Sequence, residues 1–342
     1  MSRPEFAPLL ETLLAAQDLS EAEASRIMTA LADDALAPAM AGSLLTALRA
    51  KGETADEIRG FAAVMRERAL RPDIDPKLPT VDTVGTGGDG SGSYNLSTGT
   101  ALLAAAAGAQ VVKHGNRSVS SKSGSADVLE SLGLSLPLDA AAAGRCLEAT
   151  NFTFLFAPAY HPAMKSVVPV RQAMGVRTVF NVLGPLTNPA QTPYQVIGAF
   201  SKDVAALMAD ALSGLAIERA FVVHGDNGWD EATPVSSFTL FDVTPGQVVP
   251  HTRTPEDYGI ARCTAEDLAG GDAEVNARAM ADVLRGTDTG AHRDALLMGT
   301  SLVLEVAGLV DDARAGVARA QAAIDSGDAA RLLDGLAEFG RG

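Results

Sequence analysis

The most informative part of the sequence is VGTGGDGSGSYNLST at residues 84–98. It follows a short run rich in β-branched residues and precedes an alanine- and leucine-rich run, residues 100–108, that we expect to be helical. Five of the eight residues from 85 to 92 are glycine, which permits positive φ angles and lets a ligand approach the main chain. Free N–H groups in such a loop, with a helix N-terminus behind them, form an anion site. We therefore predict a phosphate-binding loop between a strand and a helix, with Ser97 or Thr98 capping the helix.

The loop belongs to neither of the common classes of phosphate-binding loop. It lacks the Gly-Lys-Ser/Thr of a P-loop, and no acidic strand end lies at the offset that a dinucleotide-binding fingerprint requires. A second polar segment, KHGNRSVSSKSGSADVLE at residues 113–130, occupies that region and follows another predicted strand. Loops that follow successive parallel strands face one crevice, so we expect both segments to line one anion site. Its cations would come from Lys113, Arg117 and Lys122.

A third polar segment, HGDNGWDE at residues 224–231, follows a predicted strand at residues 220–223. Adjacent carboxylates beside a polyphosphate site suit Mg²⁺, a hard cation that prefers oxygen ligands and often bridges to phosphates. From the residues alone, a solvated acidic pair remains the alternative. His224 has no histidine or cysteine partner at ligand spacing, so we expect it to be structural, and Asp226 is a less favoured extra ligand.

Arg171 is the cation that we single out in the middle of the chain. A guanidinium can hold a carboxylate with two parallel hydrogen bonds, which lysine cannot imitate. From the residues alone, an ordinary surface ion pair is the favoured interpretation of this arginine.

The two phosphate-site segments together resemble anthranilate phosphoribosyltransferase, an enzyme family of tryptophan biosynthesis. The resemblance continues through residues 156–189 and reaches the acidic pair Asp230 and Glu231. It implies transfer of the phosphoribosyl group of phosphoribosyl pyrophosphate (PRPP) to the amine of anthranilate, with release of pyrophosphate and with Mg²⁺ as cofactor. Two local departures from the family pattern put loop geometry in question: Gly299 stands where an asparagine is expected, and Ser-Gly-Pro-Thr is missing after Glu231.

The resemblance also implies the residues of the site. Those expected to contact PRPP are Gly85, Gly88, Asp89, Ser93, Asn95, Leu96, Ser97, Thr98, Lys113, His114, Gly115, Asn116, Arg117, Ser118, Val119, Ser120, Ser121 and Ser125. Those expected to line the anthranilate site are Gly85, His114, Asn116 and Arg171, with Arg171 or Asn116 at the carboxylate. Ser97, Asp230 and Glu231 would hold Mg²⁺. No general base is evident, and no Ser/His/Asp or Cys/His constellation is visible.

The fold class is predicted to be α/β, with a small N-terminal helical domain and a large α/β domain around a mixed, mostly parallel sheet. Residues 1–71 would form the helical domain, with a crossover contribution from about residues 160–185. Residues 72–80 are proline-rich and are predicted to be a hinge. Residues 80–342 would form the α/β domain that carries out phosphoribosyl transfer.

Local signals support the helices of the first domain and a hairpin late in the second. Ser20 with Glu23 and Thr54 with Glu57 are capping-box patterns, which mark helix starts. Residues 238–243 and 247–250 are predicted to pair as a hairpin.

Composition limits the classes of partner. The chain has 342 residues and a net charge of −15, from 27 basic and 42 acidic residues, which makes it a poor nonspecific binder of nucleic acid or membranes. Its 2 cysteines imply no disulfide framework. With no signal-peptide pattern and no long apolar run, we expect a soluble cytoplasmic protein without nucleic-acid or membrane partners. The resemblance suggests a homodimer.

Three alternative functions differ in their expected behaviour. A nucleoside phosphorylase of related architecture would release a free base in the presence of phosphate, but the Asn116-Arg117 loop and the Asp230-Glu231 pair favour PRPP. A family member with another aromatic amine as acceptor would be revealed by a substrate panel. A non-catalytic relative that binds nucleic acid would need a basic surface, against which the net charge of −15 argues.

Overall fold

A computed structural model describes residues 5–118 and 122–341 of the chain. The predicted site residues Val119, Ser120 and Ser121 lie outside these described residues. The strands are β1 Thr80–Gly85, β2 Gln110–Gly115, β3 Phe152–Phe156, β4 Tyr194–Gly198, β5 Arg219–Gly225, β6 Phe238–Thr244 and β7 Gln247–Arg253. The α-helices are α1 Ala7–Leu14, α2 Glu21–Ala32, α3 Pro38–Lys51, α4 Ala55–Arg68, α5 Leu96–Ala106, α6 Ser125–Ser131, α7 Ala140–Thr150, α8 Ala157–Tyr160, α9 Met164–Met174, α10 Phe180–Leu183, α11 Lys202–Ser213, α12 Ala273–Leu284, α13 Ala291–Val306, α14 Ala313–Asp325 and α15 Asp328–Phe339.

The strands form one seven-stranded sheet in the order β3-β2-β1-β4-β5-β6-β7. The pairs from β3 to β5 are parallel, whereas β6 and β7 pair antiparallel as the predicted hairpin. This confirms the prediction of a mixed, mostly parallel sheet. The chain runs outward from β1 to β2 and β3, and then returns to β4 on the other side of β1. Ligands bind outside the carboxyl ends of the strands at such a switch point.

Apolar residues cover both faces of the sheet. On β5, Phe221 and Val223 face one core, which they share with α5 and α13. Ala220 and Val222 face the other core, which joins the sheet to α11 and the N-terminal helices. This period-2 alternation fixes the strand register, because a one-residue slip would exchange the two faces.

The first four helices form a bundle at the N-terminus, against which α9 and α10 also pack. Both predicted capping boxes are confirmed, since Ser20 pairs reciprocally with Glu23 and Thr54 with Glu57. The fold therefore combines an N-terminal helical bundle domain with a large α/β domain, as predicted. No helix in the described part of the chain is both long enough and apolar enough to span a membrane.

Two predicted element boundaries near the phosphate-site loops are wrong. Helix α5 begins at Leu96 with Asn95 as its N-cap, so neither Ser97 nor Thr98 caps it. The Ser97 hydroxyl instead accepts a hydrogen bond from the buried Lys113 side chain, at 3.3 Å. Strand β2 continues to Gly115, so Lys113 belongs to a strand and not to the loop after it.

Candidate active site at the carboxyl edge of the sheet

The glycine-rich loop leaves the sheet at its switch point. Gly85 at the end of β1 pairs with Gly198 at the end of β4, so two glycines lie side by side at the carboxyl edge. The loop after β5 folds back over this pair of strand ends and brings Asp230 onto them. A Cβ atom at Gly198 would lie 1.6 Å from the carbonyl oxygen of Asp230, and one at Gly85 would lie 2.5 Å from its Oδ2. The acidic loop can therefore reach the phosphate-site loop only because both strands end in glycine.

Hydrogen bonds join the acidic loop to the glycine-rich loop. The Gly87 N–H donates to Asp230 Oδ2 at 2.6 Å, and the Asp230 N–H donates to Asp89 Oδ2 at 3.1 Å. The other oxygen of Asp89 accepts from the N–H and the hydroxyl of Ser91, at 3.1 and 3.0 Å. These bonds place the two predicted segments in one site, although they are far apart in the sequence.

The acidic residues of this site repel one another. Burial raises the pKa of Asp230, and the negative charge of Asp89 raises it further. Burial likewise raises the pKa of Glu231, with a further increase from Asp230, while Lys113 acts in the opposite direction. Ionised carboxylates in such a cluster are unfavourable unless a cation compensates them. Among the described residues, no group of three or more His, Cys, Asp or Glu side chains is arranged to hold a metal ion by itself.

Lys113 supplies a buried positive charge beside the carboxylates. Its ammonium group donates to the Thr83 carbonyl and to Ser97 Oγ. Burial lowers the pKa of Lys113, whereas the charges of Asp82 and Glu231 raise it. Its place on β2, next to β1, explains why it lies behind the glycine-rich loop and not on the surface.

Asp82 and Asn188 form a buried hydrogen-bonded pair near Lys113. The Asn188 Nδ2 donates to Asp82 Oδ2 and to the Val112 carbonyl, each at 2.8 Å. Burial raises the pKa of Asp82 to about 6, while the nearby Lys113 lowers it. Sequence reasoning did not identify either residue as part of this region.

His114 points to the opposite side of β2 from Lys113 and packs against His161, with ring centroids 5.0 Å apart. It is 4% exposed, and its Nε2 has no hydrogen-bond partner among the described residues. Burial lowers the pKa of His114 to about 3, and His161 lowers it further. A histidine with that pKa is neutral at pH 7 and a weak base, so no general base emerges from this pair.

Arg171 lies on α9 and stacks over the Phe180 ring, with its Cζ 5.3 Å from the centroid. Its side chain is partly buried, and burial lowers its pKa. No carboxylate or other hydrogen-bond partner holds its guanidinium among the described residues. The described residues thus give Arg171 no ion pair, and its predicted role at the anthranilate carboxylate stays a prediction.

The other cations of the second loop lie at the surface. Arg117 is exposed and bonds to Asp127, at 3.1 Å, and to Glu130. Lys122 is also exposed, so Lys113 is the buried member of the three predicted cations. Asn116 is exposed, and its carbonyl accepts from the hydroxyl of Ser125 at 3.2 Å.

The remaining predicted PRPP residues occupy the first loop and the ends of the elements next to it. Leu96 and Thr98 lie in the first turn of α5, and the Thr98 hydroxyl is buried without a hydrogen-bond partner among the described residues. Ser93 Oγ lies 3.2 Å from Ser91 Oγ. The N–H of Ser118 donates to Asp127 Oδ2 at 3.1 Å, and a Cβ at Gly115 would meet the Ser125 hydroxyl at 2.5 Å.

Arg177 also contacts the glycine-rich loop, although the sequence did not single it out. Its Nη2 donates to the Gly88 carbonyl at 2.7 Å, and its guanidinium stacks over the Phe200 ring. The Arg177 carbonyl in turn accepts from Arg49 of α3, at 2.8 Å. This chain of contacts connects the helical bundle to the loop, and no local pattern in the sequence indicates it.

The departure at Gly299 has a local structural explanation. A Cβ atom at this position would lie 2.4 Å from Thr100 Oγ1, so the threonine occupies the space that a larger side chain at 299 would need. A cavity of about 10 Å³ remains next to them and is lined in part by Glu231 and Thr83. In this chain, Thr100 and this small cavity therefore occupy the space between Gly299 and Glu231.

Comparison with known proteins identifies the class and then the family. Residues 77–330 match the glycosyl transferase family, a/b domain, and residues 7–69 match the helical bundle domain of the same family. The chain is 43% identical over 332 residues to an anthranilate phosphoribosyltransferase of Acetivibrio thermocellus, covering 96% of this chain and 95% of that protein.

Solved structures of anthranilate phosphoribosyltransferases are also similar to this chain. The anthranilate phosphoribosyltransferase of Thermus thermophilus superposes with a TM-score of 0.90 at 42% identity, over 97% of this chain and 99% of that one. The Saccharomyces cerevisiae enzyme, solved in complex with PRPP and Mg, gives a TM-score of 0.88 at 28% identity, over 99% of each chain. The yeast enzyme has also been solved with 4-fluoroanthranilate.

A helical bundle joined to an α/β domain, with a glycine-rich loop and paired carboxylates at the switch point, places the chain in the class of glycosyltransferases. Within that class, the chain belongs to the anthranilate phosphoribosyltransferase family.

Proposed function

We propose that this enzyme transfers the phosphoribosyl group of PRPP to the amine of anthranilate, giving N-(5-phosphoribosyl)anthranilate and pyrophosphate, in a Mg²⁺-dependent reaction. The observation that carries the proposal is the closure of the Asp230 loop over the paired glycines Gly85 and Gly198, beside the glycine-rich loop. That arrangement brings backbone N–H groups, a buried lysine and carboxylates together at the edge of the sheet where a ligand binds.

The chemistry requires stabilisation of a leaving anion more than a strong base. The bond from the anomeric carbon to the pyrophosphate oxygen breaks, a bond to the amine nitrogen forms, and the nitrogen then loses a proton to solvent. The N–H groups of the glycine-rich loop and the Lys113 ammonium would hold the diphosphate as negative charge develops on it. The aniline nitrogen is neutral at pH 7, which agrees with the absence of an evident general base among the described residues.

The residues present fit a magnesium ion that is shared with the substrate. Mg²⁺ is usually held by one or two carboxylates together with substrate phosphates, which matches a donor set of Asp230, Glu231 and the Ser97 hydroxyl. Burial, and to a lesser extent the neighbouring carboxylates, raise the pKa of both carboxyls, so a bound cation would favour their ionised forms. When bound, the ion would neutralise the leaving group and orient it.

The same proposal assigns the anthranilate site to Gly85, His114, Asn116 and Arg171. It includes the division into a helical domain at 1–71, a hinge at 72–80 and an α/β domain at 80–342, a homodimer, and a location in the cytoplasm. The yeast enzyme has been solved with PRPP and Mg and with 4-fluoroanthranilate, which supports the choice of ligands.

The proposal is tested by mixing the protein with PRPP and MgCl₂ and following the loss of anthranilate fluorescence, with a parallel run in EDTA. We expect loss that requires both PRPP and Mg²⁺, with equimolar pyrophosphate released. Folded protein that consumes no anthranilate but uses another aromatic amine would refute the acceptor. Release of a free base from nucleosides in the presence of phosphate would refute the reaction class.

Replacing Arg171 by alanine should raise the KM for anthranilate roughly 10- to 100-fold, because a charged hydrogen-bonding partner of the carboxylate is lost. The KM for PRPP and the melting temperature should change little. A suitable control is Arg26→Ala, since Arg26 also lies on a helix and over an aromatic ring, that of Phe6. An unchanged anthranilate KM in Arg171→Ala would show that the carboxylate is bound elsewhere.

A further inference from the structure

An asparagine outside the predicted site, Asn276, contacts the glycine-rich loop from behind. It lies near the start of α12 and is 3% exposed. Its Oδ1 accepts the Gly271 N–H at 2.7 Å, and its Nδ2 donates to Asn95 Oδ1 at 2.8 Å. The Nδ2 also donates to the Gly271 carbonyl at 3.4 Å. The orientation of this amide is therefore fixed, because a flipped amide would turn its own N–H groups toward the Gly271 N–H.

The fixed amide of Asn276 determines the orientation of Asn95. Because Asn95 Oδ1 accepts from Asn276, its Nδ2 must point the other way, where it donates to the Ser123 carbonyl at 3.2 Å. Asn95 thus connects the glycine-rich loop to the segment that leads into α6. Its Nδ2 lies where the two phosphate-site loops meet, and the N–H that is not donated to Ser123 is the one that an anion could accept from.

The backbone around Asn276 strengthens this contact. The Gly270 N–H donates to the Gly92 carbonyl at 2.8 Å, and the Tyr94 N–H donates to the Leu268 carbonyl at 3.0 Å. Residues 268–271 therefore lie directly against the end of the glycine-rich loop. Within this contact, the Asn276 side chain donates a hydrogen bond to Asn95, which is a predicted PRPP residue.

We propose that Asn276 is a positioning residue for PRPP: it orients the Asn95 amide so that Nδ2, and not Oδ1, faces the phosphate site, and it holds the two loops together through the bond from Asn95 to Ser123. The inference rests on the proposed function only in taking PRPP as the ligand, and it is independent of the acceptor. Asn276 itself touches no reacting group.

The test measures PRPP binding by calorimetry in MgCl₂ without anthranilate. In Asn276→Asp, one oxygen can still accept the Gly271 N–H, but the other faces Asn95 Oδ1, so the Asn95 amide turns over and presents an acceptor to the phosphates. We expect the Kd for PRPP to rise roughly 10- to 100-fold. Asn276→Leu releases the Asn95 amide without inverting it and should give a smaller increase.

Two further variants separate positioning from a structural effect. In an Asn95→Ala background, Asn276→Asp should cause no further loss of affinity, because the residue that it acts through is gone. Asp272 is the N-cap of the same helix, and its Oδ1 accepts the Val275 N–H at 2.9 Å. The control variant Asp272→Ala removes this cap. If Asn276 acts by orienting the Asn95 amide, Asp272→Ala should lower the melting temperature but leave the Kd for PRPP within about twofold of the wild-type value.

The outcomes distinguish this inference from the proposed function. Additive effects of Asn276→Asp and Asn95→Ala, or an equal loss of affinity in Asp272→Ala, would overturn the positioning role. Wild-type protein that binds PRPP but does not consume anthranilate would overturn the proposed acceptor, while the variant cycle would still decide the role of Asn276. Wild-type protein that binds no PRPP would overturn both.

Discussion

The double variant Asp230→Asn/Glu231→Gln should lose its Mg²⁺-dependent activity by a factor of roughly 10² to 10³, because the ion then has no charged ligand from the protein. Its stability without ligands should hold or increase. Both carboxyls have pKa values above those of the unfolded chain, so folding disfavours their ionised forms at pH 7, and neutral amides remove that penalty. The increase in melting temperature that PRPP and MgCl₂ give the wild type should be absent from the variant.

The measurement combines initial rates over a range of MgCl₂ concentrations with melting curves in the presence and absence of PRPP. Asp226→Asn is the matched control, since Asp226 lies on the same loop but is exposed and accepts from the Ser237 hydroxyl. It should retain both activity and the ligand-induced shift. A double variant that stays active with a normal response to Mg²⁺ would remove Asp230 and Glu231 from the metal site.

The sequence predicted those parts of the fold that depend on local patterns. The glycine-rich loop, the alternation of strands and helices, the hairpin at β6 and β7, and the two capping boxes each arise from residues close together in the chain. The end of β2 was misplaced for a different reason. A lysine and a histidine normally indicate exposed chain, and here Lys113 is held inside the sheet by its bonds to the Thr83 carbonyl and the Ser97 hydroxyl and by the charge of Asp82.

The parts of the site that sequence reasoning missed depend on long-range register. Gly198 matters because it pairs with Gly85 across two strands that are far apart in the sequence. Arg177 and Asn276 reach the glycine-rich loop from a crossover segment and a distant helix. Each of the three looks ordinary in its own neighbourhood, and only the packing of elements shows what it contacts. A resemblance between motifs indicates the residues at the ligand, but not those behind them.

Replacing Gly198 by alanine should disrupt the site most directly without changing any charge. The new Cβ would lie 1.6 Å from the Asp230 carbonyl oxygen, which is main chain, so no side-chain rotation can relieve the overlap. The acidic loop must move away from the strand ends and take Asp230 and Glu231 with it. We expect a loss of about 1–3 kcal/mol in the free energy of unfolding and a drop in kcat/KM of at least about 100-fold, as displacements of about 1 Å can produce.

Gly42 provides the comparison, because the same substitution meets no heavy atom within 4 Å there. It lies inside α3, where alanine should increase the free energy of unfolding by about 0.5–1 kcal/mol and leave activity unchanged. Urea denaturation and steady-state kinetics on both variants measure the contrast. Gly198→Ala with wild-type stability and kcat/KM would mean that the loop carrying Asp230 does not rest on the ends of β1 and β4. Wild-type stability with reduced activity would instead mean that the loop moves freely, and that its position over the two glycines serves catalysis more than folding.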